Sequence, residues 1–231
     1  MNNIEERNAT VEKGKLAFYK SLLYPLIFVF IVWTIKIVEI IFGISFSTLG
    51  VFPQTLEGLR GIIFSPLIHG DLSHLISNSI PILVLGSMLY YFYKQVAFKV
   101  FFLGWFMMGI WLWIIGRDSY HIGASGLIYC MASFLFVSGI IRKHKRLMAV
   151  SLIVIFLYGS IIWGIFPLAE KMSWEGHLSG LAAGIVLAIF YRKQGPQRKL
   201  YTWEIEEEEE YGEESNMQHK EFDEPWRNID Y

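Results

Sequence analysis

Ser125 stands in Gly123-Ala124-Ser125-Gly126, at the mouth of the apolar run 127–141. A serine hydroxyl is a weak nucleophile until a neighbouring base takes its proton. An imidazole titrates near neutrality and suits that task, and His177 opens another apolar run. The first N–H groups of a helix have no internal acceptor. The Ser125 amide can therefore donate to an oxyanion. Gly123 and Gly126 would let a substrate backbone come close. His74 and Asn78 are four residues apart and share one helix face. Both donate hydrogen bonds, and two such donors would complete an oxyanion site. His69 can anchor the preceding segment to the same helix. Tyr129, one turn after Ser125, can pack against the imidazole.

Each of these residues also has a plainer reading. Ser125 alone is a helix-packing or N-capping residue, and His177 alone an interfacial one. His74 and Asn78 can serve as interhelical hydrogen-bonding groups. His121 reads as an exposed loop histidine. No acidic residue is well placed for a triad, although Asp118 and Glu175 lie in loops from which either could approach.

The elements that must position these groups are membrane helices. The chain has 231 residues, 54% apolar and 18% charged. A soluble domain carries about 25% charged residues. A net charge of −1 provides no field that would attract nucleic acid. The single Cys130 excludes an internal disulfide and reads as a small core residue. A spanning helix needs about 20 apolar residues, and six runs qualify: 25–47, 74–93, 98–116, 124–141, 147–166 and a short one at 176–191. The lipid bilayer leaves unsatisfied backbone no water, so each span should be helical. The expected class is all-α, a polytopic six-helix bundle. Its parts are a cytoplasmic tail at 1–20, a membrane domain at 21–193 and an acidic, disordered tail at 194–231. The last contains the run Glu206 to Glu210, with Trp203, Trp226 and Tyr231 as candidate docking residues.

Lysines and arginines concentrate in 1–20, 94–99, 142–146 and 192–199. The positive-inside rule then places both termini in the cytoplasm. The starts of spans two, four and six fall near the outer face, bringing His74, Ser125 and His177 to one depth. The outer segment 48–73 is too polar to span and too apolar to float free, which fits an interfacial structure. Gly180 and Gly184 form a small-xxx-small stripe on the side of His177. If they pack on the Ser125 helix, the stripe joins base to nucleophile. Within span one, Lys36 and Glu39 are expected to pair at i,i+3. Glu39 holding Arg60, or Lys36 serving as a catalytic base, are the alternatives.

These residues, in this order, resemble the rhomboid intramembrane serine proteases over about 20–193. Gly-x-Ser-Gly at 123–126 matches, as do Tyr129, His177 with Gly180 and Gly184, and His69, His74 and Asn78. The resemblance implies six helices, a Ser125–His177 dyad and an oxyanion site from His74, Asn78 and the Ser125 amide. It implies no metal and no cofactor. Its substrates would be transmembrane proteins, cut near the outer face. Span five and the loop 167–175 would form the gate. Where the family often carries Trp-Arg, this chain has Leu59-Arg60, and looser anchoring of the outer segment is expected. The absence of a targeting segment fits a multi-pass protein of a bacterial plasma membrane.

Two other function classes are consistent with parts of the pattern. A catalytically silent membrane binder would escort or retain transmembrane helices without needing Ser125 or His177. A small transporter would place ionisable groups along a path through the bilayer, whereas here they gather in the outer third.

Overall fold

The computed structural model describes residues 2–168 and 172–197. Residues 198–231 of the acidic tail, with Trp203, Trp226 and Tyr231, lie outside the described residues. The described residues form helices and 3-10 turns with no strand. An isolated antiparallel bridge joins Val51 and His121.

Among the described residues, six helices of 14 residues or more fall on the six apolar runs: α1 (Asn2–Phe42), α3 (Leu72–Phe92), α4 (Ala97–Ile115), α5 (Ser125–Arg142), α6 (Lys145–Tyr158) and α7 (Trp174–Phe190). The short α2 (Gly61–Phe64) lies in the outer segment. Four of the six are long and apolar enough to cross a membrane, α7 is apolar but shorter, and α6 has 14 residues. Large apolar side chains face outward along the helices, among them Phe30 at 72% and Phe156 at 87% exposed. Such surface is costly in water and natural against acyl chains. The protein is a multi-pass membrane protein.

Residues 2–20 are helical and continuous with the first span, with no proline before Pro25. One run differs from expectation. The fifth run is α-helical only to Tyr158 and continues as a 3-10 helix, Gly159–Ile165. The conformational freedom of Gly159 and Gly164 weakens α-helix there.

α5 sits at the centre, packed by α3, α4, α6 and α7. Cys130 is fully buried on it, as expected of a small core residue. The α5–α7 contact is closest at the glycine stripe. A Cβ on Gly180 would overlap the carbonyl oxygen of Gly126, and one on Gly184 would overlap Cys130 O and Ser133 Oγ. Only hydrogen at these positions lets the two backbones approach so closely. Ser133 Oγ adds a donor across the contact, to Leu181 O at 2.9 Å. At the C-terminal end of α5, Arg142 is buried and not a free loop cation. Its guanidinium donates to Ser138 Oγ, Tyr191 O and Pro196 O, joining α5 to the end of α7.

Lys36 and Glu39 pair at 3.0 Å. Lys36 Nζ also donates to His69 O and Gly70 O, and Glu39 Oε1 accepts from Phe46 N–H. Arg60 instead donates to Thr48 O. The outer segment is not loosely held despite Leu59. Indole donors on α4 secure it, Trp105 Nε1 to Ile62 O at 2.8 Å and Trp113 Nε1 to Thr55 O at 2.9 Å.

Candidate active site

Ser125 is the first residue of α5, and Ala124 at the cap position offers no side-chain acceptor. The hydroxyl of Ser125 is therefore not consumed by capping. Its Oγ lies 2.8 Å from His177 Nε2. His177 Nδ1 lies 2.9 Å from Gly164 O. A carbonyl only accepts, so Nδ1 carries the proton and Nε2 presents a lone pair. The Ser125 O–H then donates to Nε2. The Tyr129 ring stacks on the imidazole with centroids 4.3 Å apart and planes 10° from parallel. The ring is thus held by a stacking face on one side and a backbone carbonyl on its edge.

Gly164 O takes the position a triad acid would occupy. A Cβ on Gly164 would overlap Tyr129 Oη and come within 3.0 Å of His177 Nδ1. Neither acid does this work, and Glu175 lies not in a loop but in the first turn of α7. Asp118 is exposed. Glu175 is buried, with Oε1 3.7 Å from Arg117 Nε.

His74 and Asn78 share the Ser125 side of α3. Asp71 caps that helix, its Oδ1 accepting from His74 N–H at 2.8 Å. Gly123 has φ +111°, a region L side chains avoid, and it lies directly beneath both donors. A Cβ there would be 2.8 Å from His74 Nε2 and 3.7 Å from Asn78 Nδ2. Asn78 is 5% exposed, and its Nδ2 has no partner among the described residues. A buried amide without an acceptor costs about 1–3 kcal/mol, a cost that an incoming oxyanion would offset. A cavity of about 710 Å³ is lined by His74, Asn78, Ser125 and His177. A second of about 20 Å³, lined by Met108, Gly123, Ser125 and Gly126 among others, lies beside the serine.

His69 is buried and its Nε2 accepts from Ala124 N–H at 3.4 Å, so it joins the outer segment to the start of α5. Burial first, then the nearby His74, pulls its pKa to about 3. His121 was expected to be exposed but is 3% exposed. Its backbone pairs with Val51 through two hydrogen bonds, at 3.0 and 2.8 Å. Its ring reaches Ser173 Oγ at 2.7 Å and Arg117 O at 3.0 Å. Among the described residues no three metal-donor side chains converge.

The sequence matches the family model of the rhomboid domain over residues 56–194. Uncharacterised proteins of Mycobacterium bovis and Mycobacterium tuberculosis are each 34% identical over 183 residues, 75% of this chain and 75% of the relative. One of Mycobacterium leprae is 30% identical over 184 residues, 75% of this chain and 72% of the relative. The domain match covers more than half of the chain and contains every residue of the site described above, and on that ground the chain belongs to the rhomboid family, a family of intramembrane proteases.

Proposed function

We propose that the chain is an intramembrane serine endopeptidase that cleaves transmembrane segments near the outer face. The observation that carries this reading is the contact of Ser125 Oγ with His177 Nε2, with the tautomer set by Gly164 O. Ser125 Oγ attacks the scissile carbonyl carbon as its proton moves to His177 Nε2. The oxyanion accepts from Asn78 Nδ2–H, His74 Nε2–H and the Ser125 amide. The C–N bond then breaks, and the imidazolium returns its proton to the departing amine. The acyl group is left on Ser125 Oγ. Water, deprotonated by His177, attacks the ester carbonyl; the C–O bond to Ser125 breaks, the imidazolium returns its proton to Ser125 Oγ, and the acid is freed. These steps need only the named groups and water.

A peptide bond within an intact helix is shielded, so the substrate must unwind locally at the site. The 20 Å³ cavity beside Ser125 favours a small side chain at the cut, having room for about one water-sized group. The membrane domain at 21–193 would cross the bilayer six times with both termini cytoplasmic, as the segregated basic residues support. The polar tails at 1–20 and 194–231 would lie on that side.

Reconstituted protein should cleave a single-span model substrate, and Ser125→Ala or His177→Ala should abolish cleavage while the fold persists. Undiminished cleavage by Ser125→Ala rejects the mechanism. Substrate capture without cleavage by the unaltered protein would favour the silent binder.

A further inference from the structure

His121 precedes Ser125 by four residues, and Ser173 precedes His177 by four. The two segments read His-Ile-Gly-Ala-Ser and Ser-Trp-Glu-Gly-His, the same pair of side chains in reverse order. Both pairs meet across the same sequence separation of 52: Ser125 Oγ with His177 Nε2 at 2.8 Å, and Ser173 Oγ with His121 Nδ1 at 2.7 Å. The second contact repeats the first at the outer ends of the same two segments.

The protons of this outer contact can be assigned. His121 Nε2 faces Arg117 O, which only accepts, so Nε2 carries hydrogen. Nδ1 therefore presents a lone pair and takes the Ser173 hydroxyl proton. The Ser173 oxygen in turn accepts from Gly176 N–H at 3.2 Å and caps α7. The Ser173 carbonyl accepts from His177 N–H, also at 3.2 Å. Ser173 thus fixes the first turn of α7 twice, once through each oxygen. His121 is immobilised on the other side by its two-bond bridge to Val51. Arg117 completes the join, Nη2 donating to Met172 O at 2.8 Å. Burial lowers the pKa of His121, which keeps the ring neutral and the lone pair free.

We propose that the His121–Ser173 hydrogen bond is a positioning device for the dyad, holding the starts of α5 and α7 at the separation that keeps His177 Nε2 within reach of Ser125. The glycine stripe sets the spacing of the two helices from Gly180 inward. The outer contact sets it on the other side of the dyad, where α5 has not yet begun. Neither residue touches the reacting atoms, so both are positioning residues. The proposal rests on the protease reading of Ser125 and His177.

A fluorophosphonate probe tests it without a substrate helix. Ser125 Oγ bonds to phosphorus, the P–F bond breaks, fluoride leaves and the proton passes to His177. His121→Ala and Ser173→Ala should each slow phosphonylation by about 10-fold to 100-fold, the scale of a misplaced catalytic group. The double variant should be no slower than the worse single one, because both remove one interaction. Ser173→Thr, which keeps the hydroxyl, should restore the rate. With a cleavable substrate the loss should fall on kcat and leave KM unchanged. Ser173 is only half-buried, so Ser173→Ala carries the test even if His121→Ala does not fold. Wild-type rates in folded Ser173→Ala overturn the proposal. A raised KM at constant kcat also overturns it, making the pair a substrate contact in the cavity it borders. Labelling of the unaltered protein that survives Ser125→Ala strikes the protease reading itself, and so separates the two failures.

Discussion

Gly180→Ala probes how closely the dyad depends on helix spacing. The added Cβ would overlap Gly126 O and sit 2.7 Å from Gly126 C and 3.1 Å from its Cα. All three neighbours are backbone, so no rotamer change relieves the clash. Carbon atoms rest at about 3.5 Å or more, so relieving the Gly126 C contact alone requires α7 to withdraw from α5 by about 0.8 Å, and the tighter overlap with Gly126 O requires more. Gly180 is one turn beyond His177, and even the smaller withdrawal takes the 2.8 Å Ser125–His177 contact to about 3.6 Å. Hydrogen-bond reach for a general base ends near 3.2 Å. Losing the base should lower kcat by about 10²–10⁴-fold, and the overpacking itself should cost about 1–3 kcal/mol of stability. The assay is single-turnover cleavage in proteoliposomes, with thermal unfolding measured alongside. Gly14→Ala, whose Cβ would meet nothing within 4 Å, is the control and should retain full activity. A folded Gly180→Ala that cleaves at the wild-type rate would refute the spacing argument.

Three further outcomes follow from the geometry. Asn78→Ala should lower kcat by about 10²–10³-fold with little change in KM, since its donor serves an anion formed only in the transition state; steady-state kinetics on a model substrate check this. Lys36→Ala leaves Glu39 buried at 4% exposure without its counter-ion, and should cost about 3 kcal/mol in denaturant unfolding. Stability should also fall in acid through His69 and His121, whose folded pKa values lie below the unfolded value near 6.5. Below that pH the unfolded chain binds more protons. Their contribution is complete above about pH 6.5 and declines by about 1.4 kcal/mol per pH unit for each group as pH falls toward the folded value. A melting curve measured from pH 7.5 to 4 checks the slope, which His69→Gln should flatten.

Side-chain chemistry at fixed spacing was the legible part of this site. Ser125, His177 and Asn78 are conspicuous because a hydroxyl, an imidazole or an amide near an apolar helix start is costly, although each taken alone also has a plain packing or interfacial reading; Tyr129 stands out only by its place one turn after Ser125. The spans were legible for the same reason, since hydropathy reports the lipid directly. Gly164 was not, because its contribution is a carbonyl oxygen that every residue possesses. His121 was misread because a histidine in a short loop has no periodicity to betray its burial, and its partner is 52 residues away. The inverted pairs His121–Ser125 and Ser173–His177 were a usable signal, visible only when the two segments are set side by side. Arg142 deceived in the opposite way. It lies among loop cations in sequence, yet α5 continues through it and turns its guanidinium inward.

The most direct test of the account is to locate the covalent adduct. The unaltered protein is treated with a fluorophosphonate, digested and mapped by tandem mass spectrometry. The account predicts one modified residue, Ser125, and loss of the adduct in His177→Ala. Modification of another serine, or an adduct on Ser125 that forms at the same rate without His177, would contradict it.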